Sequence, residues 1–359
     1  MIISCLREDL SNALQGVQRA VSSKSMMPAL SGVLMETSQD SLRLHATDLE
    51  IYICKEIPVK VEEEGKILAS GRLLSDIVRN IESDMVSLQG KEGNLEVSAG
   101  KYRSSLRTLP VEDFPVMPDK KEPILEKASM TKILDAVVQV AKAASKDDKR
   151  PILQGILMEI QGNSMNLVST DSYRLAVTTI SLDEGSLSEG SFIIPARAMQ
   201  ELTRWGSKEG VIEISRSDGQ IRFDAGSSLM LVREIEGKFP NWKQLIPENQ
   251  KTKIKINREN FLSAIKRASI IGTTVIIEVE EGGLSLSSEN REVGRSDEAV
   301  EAAVEGDTMR IAFNAEFLTD GISGCSTEEV IITVEDPEKP GVIFGEGDPY
   351  KYLIMPIKI

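Results

Sequence analysis

The sequence predicts an α+β fold of three repeated domains, each with two helices packed on antiparallel sheets. Three observations carry this reading. The chain matches itself in order at a nearly constant offset, each copy opens with a helix-periodic segment, and the stretches between helices alternate with period two.

The repeat is plainest between the first two copies. Pro28-Ala29-Leu30-Ser31-Gly32-Val33-Leu34-Met35-Glu36 aligns with Pro151-Ile152-Leu153-Gln154-Gly155-Ile156-Leu157-Met158-Glu159 at an offset of 123. Ala46-Thr47-Asp48 aligns with Ser169-Thr170-Asp171 at the same offset. Arg72 and Arg79 match Arg197 and Arg204, and Asp113-Phe114-Pro115 matches Lys238-Phe239-Pro240, both at 125. Matches in one order at one spacing imply homologous domains. A third copy is fainter and keeps the same helix layout.

Each copy opens with an amphipathic helix. Leu6, Leu10, Leu14, Val17 and Val21 mark the first. Met130, Ile133, Val137 and Ala141 mark the second, behind Ser129 as N-cap. Phe261, Leu262, Ile265 and Ala268 mark the third, behind Asn257. A second helix sits mid-domain: Leu73, Leu74, Ile77, Val78 and Ile81, then Met199, Leu202 and Trp205, then Phe317, Leu318 and Ile322. Gly321 and Gly324 are expected to shorten the last of these.

Between helices, Ile51, Ile53, Ile57 and Val59 alternate with Tyr52, Cys54 and Pro58, the pattern of a half-buried strand. Segments 211–214, 221–224 and 329–334 read likewise. Glu64-Gly65, Asp218-Gly219 and Glu281-Gly282-Gly283 supply turns. Linkers are expected over 118–123 and 247–252, which gives domains of 1–120, 124–247 and 252–359.

Composition narrows the function. Aromatic residues are only 4%, so the cores must be built from Leu, Ile, Val and Met. No apolar run approaches the ~20 residues of a spanning helix, and Met1–Asp9 lacks a signal-peptide pattern. The chain is expected to stay in the cytoplasm. Cys5, Cys54 and Cys325 are odd in number and far apart, which favours reduced, buried thiols.

No active-site constellation is present. His45 is the one histidine and lies in a strand-like run, so His-ligated zinc and Ser-His-Asp patterns lack their parts. The Gly-Lys pairs lack the rest of a phosphate loop. Neither a cofactor nor a metal is expected.

The net charge of −14 argues against nucleic acid on average. Distribution matters more. Arg19, Lys24, Arg72, Arg79, Lys132, Lys142, Lys146, Lys149, Arg150, Arg197, Arg204, Lys266 and Arg267 fall on the expected helices and their adjoining loops, whereas acidic runs such as Glu62-Glu63-Glu64 fall in turns and strands. Arg72/Arg197 and Arg79/Arg204 recur at matching repeat positions.

The three-copy layout, with Ser169-Thr170-Asp171-Ser172-Tyr173-Arg174-Leu175-Ala176-Val177, Gly237-Lys238-Phe239-Pro240-Asn241-Trp242 and the terminal Tyr352-Leu353-Ile354-Met355-Pro356-Ile357-Lys358-Ile359, resembles the bacterial DNA sliding clamps, the β subunits of the replicative polymerase. The resemblance spans essentially the whole chain, strong over 1–250 and at the C-terminus and weak over 270–345. It implies a ring formed by a head-to-tail homodimer, with helices lining the hole and strands pairing across domain boundaries. DNA would be met by Arg19, Lys24, Arg72, Arg79, Lys142, Lys146, Arg150, Arg197, Arg204, Lys266 and Arg267.

The resemblance also implies a pocket for short peptide motifs of polymerases, clamp loader and repair proteins. Leu153, Thr170, Ser172, Tyr173, Arg174, Leu175, Pro240, Gln244, Leu245, Leu353, Met355, Pro356 and Ile357 would line it. Asp171 has the repeat partner Asp48 and reads as structural, whereas Tyr173-Arg174-Leu175 departs from Glu50-Ile51-Tyr52 and reads as specialised. Leu106 against Ile270 and Ile271 would form the ring interface. Here the chain departs from the family: Ser104 stands where a large apolar anchor is common, and the stretch after Ile271 is short. Three alternatives remain at this level: a divergent second clamp copy with altered partners, a repeat scaffold that does not bind DNA, and an enzyme using His45.

Overall fold

The computed structural model describes residues 1–22, 26–117, 122–182, 189–205, 210–247, 250–280 and 282–358. Six α-helices form among them: α1 (Arg7–Val17), α2 (Gly71–Arg79), α3 (Met130–Val140), α4 (Ala196–Leu202), α5 (Arg258–Ser269) and α6 (Ala315–Ser323). This is the expected pair per copy.

The caps follow residue chemistry. Asn257 accepts a hydrogen bond from the Asn260 amide at 3.0 Å, and Asn314 accepts one from Phe317 at 3.1 Å. Each satisfies an amide that the first helical turn leaves without a partner. In α1 the buried stripe is Leu10, Ala13, Leu14 and Val17. Leu6 instead ends the preceding strand and is exposed, and Val21 lies beyond a 3₁₀ turn at Gln18–Ala20. Ala141 and Trp205 also fall just past their helices, although both are buried.

The expected shortening of α6 does not occur. The helix runs through Gly321 and ends with Gly324 at its C-cap, as long as α2 at nine residues. The reason is packing. A Cβ at Gly321 would lie 2.4 Å from the ring of Tyr352, which is itself buried, so the missing side chain is the seat of that ring.

The described residues divide into two compact units. Those of Met1–Met130 and Arg204–Glu234 form one; those of Thr131–Asp183, Glu189–Thr203 and Ile235–Ile359 form the other. The second copy is therefore shared between them, and strand pairing explains how. In the first unit a thirteen-stranded sheet joins the copies where Ser228–Arg233 pairs antiparallel with Ile51–Pro58, Leu231 opposite Tyr52 and Met230 opposite Ile53. In the second unit a nine-stranded sheet joins copies two and three where Arg174–Ser181 pairs with Lys351–Ile354, Leu175 opposite Leu353. A four-stranded sheet completes the second unit, with Gly294–Val300 at one edge. Hydrogen-bonded seams of this kind remove exposed sheet edges between repeats.

Both proposed linkers give up residues to these sheets. Pro123 lies in the strand Glu122–Ser129, which pairs with Val211–Ser217, and Thr252 begins the strand Thr252–Asn257. Pro123 is tolerated near the strand's start, at the edge of the sheet and beside a register shift. The Asp218-Gly219 turn has φ of 47° and 76°, the left-handed pair of a tight hairpin.

His45 sits in the first unit's core, 6% exposed, with Nδ1 2.8 Å from the Tyr52 hydroxyl. Tyr52 in turn meets the edge of Phe114. Burial pushes the His45 pKa down to about 4, so the ring is neutral near pH 7. These contacts make His45 part of a packed cluster. Cys5 and Cys325 are buried and Cys54 is half-buried; burial pushes all three thiols up to about 12.

Candidate functional site

The pocket residues are built on one turn. Thr170 ends a strand and its hydroxyl donates to the Arg174 carbonyl at 2.6 Å while accepting from the Ser172 amide at 3.1 Å. Asp171 Oδ1 accepts from the amides of Tyr173 and Arg174 at 2.9 and 3.0 Å. Ser172 is thereby held at φ 80°. Copy one repeats the device: Thr47 donates to the Ile51 carbonyl, Asp48 accepts from Glu50 and Ile51, and Leu49 takes φ 76°. The shared Thr-Asp pair is therefore a turn former, and what differs is the side chains the turn presents.

In copy two the turn presents Tyr173, 63% exposed. The C-terminal segment lies against it, with the Met355 amide donating to the Tyr173 carbonyl at 2.8 Å. Met355 is 41% exposed, and Leu245 and Ile357 are also exposed apolar residues. Beneath lies a core of Leu157, Val168, Leu175, Val177, Ile193, Phe239, Val342 and Leu353, with Ile152 and Trp242 packed against it. Ser172, Pro240 and Gln244 are exposed and Pro356 half-buried. Arg150 donates to the Ser172 hydroxyl at 2.9 Å.

Several members of the expected set lie below the surface. Leu153, Thr170, Leu175 and Leu353 are buried and act as supports. Arg174 departs most from expectation. Its side chain is 5% exposed and its guanidinium is held on every side. Nε donates to Asp171 at 3.0 Å, Nη1 to Asp320 at 2.7 Å and to the Tyr352 hydroxyl at 3.4 Å, and Nη2 to the Lys142 carbonyl at 2.6 Å. The cation lies 4.1 Å from the ring centre of Phe317. Arg174 is thus a clip that ties the turn to α6 and to the end of α3. A planar fork with five donors suits this position. Asp320 and Phe317, its partners on α6, had no signal in the sequence, because the contacts span 146 residues.

Among the expected cations, Arg19, Arg72, Arg79, Lys142, Lys146, Arg197, Arg204, Lys266 and Arg267 are exposed and Arg150 is half-buried; Lys24 lies outside the described residues. Arg72 and Arg79 flank Asp76 on α2, at 4.0 and 2.5 Å. Arg267 is set apart. It donates to Glu298 through Nε at 2.9 Å and also through Nη2, which ties α5 to the edge strand Gly294–Val300. Its charge is directed at that strand rather than outward.

At the expected interface, Ile270 is 76% exposed and Ile271 half-buried. Ser104 and Leu106 are half-buried on Tyr102–Leu109, opposite Val97 and Leu95, and the Ser104 hydroxyl has no hydrogen-bond partner. Among the described residues no helix is long and apolar enough to cross a membrane, and no group of three or more His, Cys, Asp or Glu is arranged to hold a metal.

Comparison with known proteins gives a single answer along the chain. The N-terminal, central and C-terminal domain families of the DNA polymerase III beta subunit match residues 1–118, 126–241 and 243–358. The beta sliding clamp of Streptomyces coelicolor is 31% identical over 375 aligned positions, covering all of both chains. The crystal structure of the DNA polymerase sliding clamp of Bacillus subtilis superposes with a TM-score of 0.94 at 25% identity, covering all of this chain and 99% of that one. The sliding clamp of Bartonella birtlesii bound to griselimycin superposes with a TM-score of 0.94 at 28% identity over the whole of both chains.

Proposed function

Because the chain belongs to the DNA polymerase III beta-subunit family, the bacterial sliding clamps, we propose that it is a processivity factor of DNA replication: a homodimeric ring that encircles duplex DNA and tethers polymerases, clamp loader and repair proteins. Each chain supplies three clamp domains, bounded near 1–120, 124–247 and 252–359, and makes or breaks no bond itself. It works in the cytoplasm, at the nucleoid.

The observation that carries the ring is the pairing of strands at the seams. The strand after the Thr-Asp turn of copy one pairs with the last strand of copy two in its unit, and the same strand of copy two pairs with the last strand of copy three. Two strands of the same kinds are left over. Gly294–Val300 pairs on one side only, and the 102–107 part of Tyr102–Leu109 likewise. A second copy joined head to tail gives each its missing partner, with Ser104 and Leu106 of one protomer beside Ile270 and Ile271 of the other. Two such seams close the circle.

A closed ring cannot leave DNA sideways, so sequence-independent phosphate contacts suffice. Arg72, Arg79, Arg197 and the other exposed helix cations supply them. The pocket of Tyr173, Leu245, Met355, Pro356 and Ile357 takes a short peptide, with Met as an adaptable wall. Tethering raises the local concentration of polymerase at the primer end.

The test is molar mass over a dilution series, followed by loading onto nicked circular DNA. The expected result is a stable species of twice 39.4 kDa that is retained on circles and lost when they are linearised. A monomer at every concentration, or equal retention on linear DNA, overturns the ring.

A further inference from the structure

Two of the cations expected to meet DNA also reach the turn that presents Tyr173. Arg150 does so directly, donating to the Ser172 hydroxyl at 2.9 Å. Lys142 does so through Arg174, and at both of its ends. Its carbonyl accepts from Arg174 Nη2 at 2.6 Å, and its ammonium lies 3.1 Å from Asp320, the carboxylate that Arg174 Nη1 also holds, at 2.7 Å. The ring reading gives Asp320 no role.

The two cations use different oxygens of Asp320, Lys142 taking Oδ1 and Arg174 taking Oδ2. They differ in freedom. The Lys142 side chain is 52% exposed and that of Arg174 only 5%. Lys142 sits in the 3₁₀ turn Ala141–Ala143 that follows α3, and its stem can carry the ammonium into solvent without disturbing the backbone. Arg174 is enclosed. Gln139 on α3 donates to the Gly324 carbonyl at the end of α6 at 3.0 Å, which keeps Asp320 in place whichever way Lys142 points.

A DNA phosphate competes with Asp320 for the Lys142 ammonium. When Lys142 turns to the phosphate, the half-buried charge of Asp320 acts on Arg174 alone, and a nearby cation no longer repels the guanidinium. Nε and Nη1 are separate donors, so a firmer hold on Asp320 takes nothing from Asp171. Asp171 pairs with Nε through Oδ2 and accepts the Tyr173 and Arg174 amides through Oδ1. A better-held Arg174 therefore stiffens the turn.

We propose that Asp320 couples the two sites: a phosphate at Lys142 firms the Arg174 clip and tightens the turn that receives a partner peptide. The linkage is reciprocal, so a bound peptide strengthens the hold on DNA. Partners then favour a ring already on DNA over a free one. The proposal rests on the reading of Lys142 as a DNA contact.

The experiment follows amide hydrogen exchange at Tyr173 and Arg174 in the full chain, alone and with a saturating short duplex. Binding of the duplex is read separately, from the anisotropy of a fluorescein label on it. In the wild type the duplex is expected to slow both amides about fivefold, the lower end of usual coupling. Lys142→Met keeps the stem and removes the competing ammonium. The free variant should already exchange as slowly as the DNA-bound wild type, and the duplex should add nothing. A Lys142 that merely braces α6 predicts faster exchange in that free variant, a result that overturns the coupling. In Asp320→Asn, which keeps an oxygen for Arg174 but not the charge, the duplex should leave both amides unchanged. Arg150→Gln removes the direct contact and should retain the fivefold response. Duplex binding with unchanged or faster exchange in the wild type, or a response that survives in Lys142→Met, overturns the coupling and leaves the DNA reading standing. No binding of the duplex by the wild type overturns both.

Discussion

Arg174→Met is the most informative single change in the second unit. It keeps the length of the stem while removing the guanidinium and its stacking on Phe317. Four hydrogen bonds are lost, two of them to carboxylates whose side chains are only 14% exposed. Breaking a buried pair by removing one partner costs about 3–5 kcal/mol, because the other charge stays desolvated. Here the lower end applies. Asp320 keeps Lys142 at 3.1 Å, and Asp171 keeps two backbone amides. The expected loss is therefore about 3 kcal/mol, and about 2 kcal/mol for Arg174→Lys, which retains charge but reaches one carboxylate at a time. Urea unfolding, with amide exchange followed in the paired strands 174–177 and 351–354, measures it locally. Peptide affinity should fall in parallel, because Asp171 shapes the turn that presents Tyr173. A loss below 1 kcal/mol with unchanged exchange would refute the reading of Arg174 as a clip.

Two further expectations follow from packing and titration. His45 has a folded pKa of about 4 against the ordinary histidine value of 6.5, so the unfolded chain binds more protons in that window. Stability should fall as pH drops from 6.5 to 4, by roughly 3 kcal/mol. In His45→Gln that part of the slope should disappear from thermal melts, and an unaltered slope would exclude His45 as its source. Gly321→Ala should destabilise by about 1–3 kcal/mol despite the better helix propensity of alanine, because the added Cβ meets the Tyr352 ring at 2.4 Å; a raised melting temperature would contradict that packing.

The sequence by itself determined the repeat, the six helices and the Thr-Asp turns. Each is a local signal: periodicity over a dozen residues, an Asn cap at 257, or a hydroxyl and a carboxylate that bond to amides two or three positions on. Resemblance to the sliding clamps marked Tyr173, Leu245, Met355 and Ile357, and Tyr173 also stood out because it departs from the matching position of copy one. The full chemistry of the pocket was not legible. Arg174 read as a surface contact, yet its partners lie at Asp320 and Tyr352, and only the fold brings them within 3.4 Å. Arg267 read as a free cation until Glu298 arrived beside it. Gly321 read as a helix breaker because the Tyr352 ring that needs its space comes from another strand. Local hydrogen bonding and hydrophobic period are written in neighbouring residues. Which charges meet, which edges pair and which ring takes a glycine's space are decided by contacts closed over 31 to 178 residues, and those exist only once the sheets have formed.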